Sequence, residues 1–203
     1  SFNLPKRIYR RIVKEYALKT SFNKLKSSVQ NQIFDELGLS RSAGLKKINK
    51  ILVENFSENY DEKNQMDSEH LIIFSSISCL NQPIKDILEI GTHSARTTFI
   101  MSKLFGDANI LSIDIPSIDS DFTSTYSRQD NVQKFVENRN KNLSASKRIR
   151  FREINSINLT NSEEKFNLIW VDGAHGYPTV TMDIINSYRL CKKNGYVVID
   201  DVY

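Results

Sequence analysis

The chain has 203 residues, enough for one compact domain with a short extension. Apolar residues make up 39% and charged residues 26%, with 7 Gly and 4 Pro, which excludes collagen-like and low-complexity classes. The net charge of +4 is unevenly spread: residues 1–50 hold 12 of the 28 Lys and Arg but three of the 24 acids, and the remainder is net acidic.

Two cysteines, Cys79 and Cys191, supply neither a disulfide framework nor a cysteine-only zinc site. A reducing compartment, the cytoplasm, is the expectation. No run approaches the roughly 18 apolar residues of a membrane span. The charged N-terminus has no apolar segment behind it of the kind a secretory signal carries.

The first quarter reads helical. Ile8, Ile12, Val13 and Tyr16 recur at helical spacing, as do Leu45, Ile48, Ile51, Leu52 and Phe56. Gly38 and Gly44 interrupt the pattern, and Ser42 offers an N-cap. The basic charge suits an anion-attracting or membrane-surface segment, or a helical extension that packs on the core or a second subunit. No aromatic pattern interleaves with these charges as single-strand binding requires, so nucleic acid is disfavoured. Residues 1–66 therefore read as a basic helical extension, with Asn55–Asp67 as a polar linker. Residues 67–203 read as the main domain.

There the pattern changes. Ser68–Leu80 predicts an amphipathic helix ending near Pro83. Five short apolar runs follow: Asp86–Gly91, Asn109–Ile115, Arg148–Ile154, Phe166–Asp172 and Gly195–Asp200. Helix-length segments Ala95–Leu104, Asn131–Leu143 and Thr179–Cys191 separate most of them. Repeated strand–helix–strand units predict right-handed crossovers and an α/β, Rossmann-like, doubly wound parallel sheet. Ligands of such sheets sit at the carboxyl ends of the strands, where strand order reverses. Those ends are unusually polar here: Glu89-Ile-Gly91, Asp114, Asn155-Ser156, Asp172 and Asp200-Asp201.

Gly91 permits a tight turn and close approach of a ligand to the backbone. The helix start behind it offers N–H groups to a carboxylate or phosphate. Asp114 ends the next strand, where an acid can accept from both ribose hydroxyls. The loop lacks G-x-G-x-x-G, which disfavours NAD.

Glu89-Ile-Gly91-Thr92, a helix, and then Ile110-Leu-Ser-Ile-Asp114 resemble the first two motifs of class I S-adenosylmethionine-dependent methyltransferases. The stretches Phe166–Tyr177, with Asp172-Gly-Ala-His175-Gly-Tyr177, and Asn194–Asp201 are similar to the metal-dependent O-methyltransferases of catechol and sugar type. The resemblance covers roughly residues 67–203. It implies that Glu89, Gly91, Thr92, His93, Ser94 and Thr97 surround the methionine part of S-adenosylmethionine. Asp114 would hold the ribose, Asn155 and Ser156 would flank the adenine, and Asp172 would border the cofactor. Family members usually carry glycine where Ala95 stands. The family's sheet usually continues into another helix and an antiparallel strand pair, which this chain ends before; dimerisation or an N-terminal helix would cover the edge.

Asp172 and Asp200-Asp201 end neighbouring strands about 4.8 Å apart, so these carboxylates should converge. Convergent carboxylates repel unless a cation joins them, and oxygen-only ligation suits Mg²⁺ or another divalent cation. The resemblance places metal ligands at Asp172, Asp200 and Asp201, and a catalytic base at His175. An imidazole can accept a hydroxyl proton at neutral pH. Blander roles stay open: His175 as a helix cap, and Asp200-Asp201 as a polar strand end. His70 reads as a helix-surface residue, and Trp170 and Tyr177 as packing.

The expectation is thus an O-methyltransferase acting on a small-molecule or sugar hydroxyl with divalent-cation assistance. A metal-independent methyltransferase is the near alternative. A non-catalytic Rossmann-like module that docks an acidic partner through its basic helices is the distant one.

Overall fold

The computed structural model describes residues 27–61, 69–124, 128 and 131–200. The helical pattern of Ile8 to Tyr16, part of the linker, and Asp201 lie outside the described residues.

Two helices open the described chain, α1 (Ser27–Glu36) and α2 (Arg41–Phe56). Ser40, not Ser42, caps α2: its side chain accepts from Ala43 N, and the helix ends on Ser57 in the left-handed region. Gly44 does not interrupt this helix but lies inside it, against Ser76 of α3 (Glu69–Ile77). Arg41 holds Glu69 at 2.6 Å and, through Nε, at 3.3 Å, a two-point contact that ties the pair together.

The predicted alternation then appears. It runs β1 (Asp86–Ile90), α4 (Arg96–Leu104), β2 (Asn109–Asp114), α5 (Ser120–Ser124), α6 (Val132–Leu143) and β3 (Ile149–Glu153). A 3₁₀ helix (Ser156–Asn161), β4 (Phe166–Val171), α7 (Thr179–Leu190) and β5 (Cys191–Ile199) complete it. All five strands pair in parallel in the order β3-β2-β1-β4-β5, a Rossmann-like sheet. Order reverses between β1 and β4, the position where such sheets bind ligands.

Strand alternation divides the core in two. Ile87, Ile110, Leu168 and Trp170 face one side, against Ile48, Leu52, Ile72 and Phe74 of α2 and α3. Leu88, Ile90, Leu111, Ile113, Ile169 and Val171 face the other, with Leu159 and Leu190. Each fully buried Ile or Leu contributes about 1.5–3 kcal/mol of hydrophobic stabilisation. Phe34, Leu39, Ile48, Ile51 and Leu52 belong to the same cluster as the sheet residues, so α2 and the segment before it share one apolar core with the β-layer.

His70 differs from its expected surface position. Its ring stacks on Trp170 at 4.5 Å and meets Phe74 at 5.6 Å. Burial lowers the imidazole to about 4, because the charged form would lose its hydration. An amphipathic reading of α3 misses this, since the helix is apolar on nearly every side. β5 is also longer than expected, because Cys191 pairs with Phe166 across a register shift. Among the described residues no helix is long and apolar enough to cross a membrane.

Candidate functional site

The strand tips are stitched together by backbone bonds. Gly91 N donates to Ile113 O at 2.9 Å, Asp172 N to Ile90 O at 2.8 Å, and Ile154 N to Asp114 O at 2.8 Å. Asp200 N donates to Val171 O at 2.9 Å. The loops carrying the expected site residues therefore share one rim of the sheet.

The loop after β1 is held in an uncommon shape. Gly91, His93 and Ala95 all have positive φ (98°, 44° and 59°). For the two non-glycine residues this is strain concentrated at one turn. Ala95 is the N-cap of α4 and supplies no side-chain cap bond, so the helix start leaves N–H groups for another acceptor. Ala95 occupies a left-handed position, which gives a physical reason for glycine to be usual there in the resembled enzymes.

Glu89 is fully buried at the tip of β1. Its Oε2 accepts from Ser112 Oγ at 2.5 Å and from Thr98 Oγ1. Ser112 in turn lies 2.6 Å from Thr92 Oγ1. Register explains the contact, because Glu89 pairs with Ser112 across β1 and β2 and both point to the same face. Burial pushes the carboxyl up to about 8, helped by the nearby charges of Asp172 and Asp114 and opposed by the two hydroxyl donors. Between the ordinary 4.5 and about 8, the folded chain keeps a proton that the unfolded chain has released. Stability therefore falls as pH rises through that window. Glu89→Gln, which keeps an acceptor for both hydroxyls, is expected to flatten the decline and to melt higher than the parent at pH 8. Melting curves from pH 5 to pH 9 check this; equal slopes would refute it.

Asp114 accepts hydrogen bonds at both carboxylate oxygens. Oδ1 accepts from Ile115 N at 2.9 Å. Oδ2 accepts from His93 N at 3.0 Å and from Arg128 Nη2 at 2.9 Å. Arg128 is 4% exposed and lies over Phe122 at 4.1 Å and Phe135 at 5.1 Å. His93 also packs on Phe135 at 5.1 Å. The remaining expected residues are placed as follows. Ser94 O accepts from Asn142 Nδ2 at 2.9 Å, and Thr97 stands on the first turn of α4. Asn155 caps the 3₁₀ helix by accepting from Ile157 N at 3.0 Å, and Ser156 begins that helix.

Asp172 and His175 come together, His175 Nε2 lying 3.6 Å from Asp172 Oδ1. Both are partly open to solvent, at 32% and 45% exposure. The pairing of Val171 with Ile199 sets Asp172 beside Asp200 on the adjacent strand. Among the described residues no group of three or more His, Cys, Asp or Glu side chains gathers as a metal site. The expected cation ligands Asp172 and Asp200 thus make an incomplete set, with Asp201 outside the described residues.

Three participants were not expected from sequence: Thr98, Ser112 and Arg128. A lone serine inside the run Ile110-Leu-Ser-Ile113 was a readable signal for the second. Nothing local marks Arg128.

The site suits an S-adenosyl nucleoside on two observations. Glu89 Oε1 is buried with no hydrogen-bond partner among the described residues. The turn at Gly91 also sits against an uncapped helix start. Glu89, the α4 N-terminus and Asp114 would hold such a group.

The family described as "Methyltransferase domain" matches residues 88–202, more than half of the chain. No curated protein matches in sequence. Similar solved structures include the N-methyltransferase NodS from Bradyrhizobium japonicum with S-adenosyl-L-homocysteine, at 13% identity and TM-score 0.48. That match covers 75% of this chain and 72% of NodS. The O-methyltransferase TomG from Streptomyces achromogenes, with S-adenosylmethionine, matches at 13% identity and TM-score 0.45, over 83% of this chain and 70% of TomG. A Staphylococcus aureus protein assigned as a caffeoyl-CoA O-methyltransferase matches at 16% identity and TM-score 0.44, over 93% and 73%. On the family match and the parallel sheet that carries it, the chain belongs to the methyltransferase domain family.

Proposed function

We infer that the acceptor is a hydroxyl group of a small molecule or sugar, and that His175 takes its proton. The observation that supports this is the Asp172–His175 pair at 3.6 Å, partly exposed at the strand tips beside the cofactor loop. The cofactor, when bound, supplies a methyl group already activated on a sulfonium. The protein's own work is to align the acceptor and remove its proton. An imidazolium formed at His175 would lie within ion-pair reach of the Asp172 carboxylate. Glu89, Gly91, Thr92, His93, Ser94 and Thr97 border the methionine part in this reading. Asp114 holds the ribose, and Asn155 and Ser156 flank the adenine.

Cation assistance is the second reading, favoured by the placement of Asp172 beside Asp200. In it, Asp172, Asp200 and Asp201 hold Mg²⁺ or another divalent cation that offsets charge at the acceptor oxygen.

Titration calorimetry with S-adenosylhomocysteine tests the cofactor half; absence of heat at high ligand concentration counts against it. His175→Ala is expected to lower methyl transfer from labelled cofactor to a hydroxyl panel by about 10²–10⁴-fold. S-adenosylhomocysteine affinity should not change. Loss of transfer with chelator, restored by Mg²⁺, separates the cation-assisted reading from the metal-independent one.

A further inference from the structure

Asp114 has less room for a ribose than its place at the end of β2 suggests. A carboxylate offers about four lone-pair positions, two on each oxygen. Oδ2 accepts from His93 N at 3.0 Å and from Arg128 Nη2 at 2.9 Å, so both of its positions are taken. Oδ1 accepts from Ile115 N at 2.9 Å, which leaves one position there among the described residues. A ribose brings two neighbouring hydroxyls, and a carboxylate with both oxygens open accepts one at each. With Arg128 in place, Asp114 accepts one in all.

The Arg128 contact is built into the interior. Arg128 and Asp114 are both buried, and so are Phe122 of α5 and Phe135 of α6. The guanidinium lies over Phe122 at 4.1 Å and over Phe135 at 5.1 Å, where the ring faces attract a cation. Phe135 also packs on the His93 ring at 5.1 Å. One ring therefore supports both residues that donate to Oδ2. A hydroxyl that displaced Arg128 would take the carboxylate from a buried guanidinium, which costs more than one hydroxyl bond returns.

We propose that Arg128 determines how the ribose is read: it closes one oxygen of Asp114, so that the sugar is held there through a single hydroxyl donated to Oδ1. Arg128 acts through Asp114 and is a positioning residue. The proposal rests on the reading given above, in which Asp114 holds the ribose. Its consequence is one-sided recognition. Loss of one ribose hydroxyl weakens binding, and loss of the other does not.

Titration calorimetry of the full chain tests this with S-adenosylhomocysteine and its 2′-deoxy and 3′-deoxy analogues. One analogue should bind about 10-fold or more weaker, the loss of one hydrogen bond to a charged group, and the other within about 2-fold of S-adenosylhomocysteine. Arg128→Met opens a position on Oδ2, so in that variant the second analogue should also bind about 10-fold weaker than S-adenosylhomocysteine. A side chain that only stabilised the fold would shift all three affinities by one factor. The parent's one-sided pattern retained in Arg128→Met therefore overturns the proposal. Equal affinities for the two analogues in the parent overturn it as well, and leave S-adenosylhomocysteine binding itself intact. Failure of the parent to bind any of the three overturns the cofactor reading and the proposal together. If Arg128→Met does not fold, the comparison of the two analogues in the parent decides.

Discussion

Asp114→Ala is expected to destabilise the chain by about 3–5 kcal/mol, the usual cost of removing one partner of a buried ion pair. The pair is Asp114 with Arg128, at 2.9 Å with side-chain exposures of 8% and 5%. Solvent screens such a pair little. Removing the carboxylate takes a charged acceptor from a buried guanidinium that packs on Phe122 and Phe135, and it also removes the acceptor of the His93 and Ile115 amides. Urea denaturation reads the effect as a lower midpoint at unchanged slope. S-adenosylhomocysteine affinity should fall by about 100-fold or more, the equivalent of 2–3 kcal/mol of charge-assisted bonding. Asp114→Ala with a parent-like midpoint would show that Arg128 does not depend on it. Asp114→Ala and Arg128→Met combined should cost less than the two changes summed, because the two groups share one interaction.

The second large effect is expected at Gly91. A Cβ there would stand 2.0 Å from the carbonyl oxygen of Asp172 and 2.5 Å from its carbon. Both atoms are backbone of the neighbouring strand tip, so no side-chain rotation relieves the overlap. The positive φ of 98° adds a second penalty for any L side chain. Gly91→Ala should therefore cost about 3 kcal/mol or more and part β1 from β4 at the point where strand order reverses. Gly106→Ala is the control, since nothing lies within 4 Å of a Cβ there. It should change stability by no more than about 0.5 kcal/mol. Equal denaturation midpoints for the two variants would refute the clearance argument at Gly91.

The layered α/β architecture was legible because burial writes itself into composition. Apart from Glu89 and Ser112, the runs Ile87–Ile90, Ile110–Ile113 and Leu168–Val171 are apolar on both faces, as strands covered by helices must be. The polar residue that ends each run was legible for the same reason, since an acid among branched apolar residues stands out. Caps were harder. Ser40 and Ser42 are both suitable side chains, and only backbone geometry selects Ser40. Gly44 looked like a break because glycine is a poor helix former, whereas its role is close approach to Ser76. His70 looked exposed because its partner, Trp170, is 100 residues away in sequence. Arg128 was invisible for a related reason: no periodicity or motif announces which of 28 basic side chains will turn inward. Tertiary contacts of that kind are decided by shape at the strand tips, not by neighbours along the chain.

The stacking of His70 on Trp170 has a practical consequence. Trp170 is the only tryptophan in the sequence, and it sits on β4 beside Glu89 of β1. Tryptophan fluorescence of this chain therefore arises from one indole, wedged between the helical layer and the centre of the sheet. Its emission colour and quenching should follow any rearrangement of that seam during titration or unfolding, with no label attached.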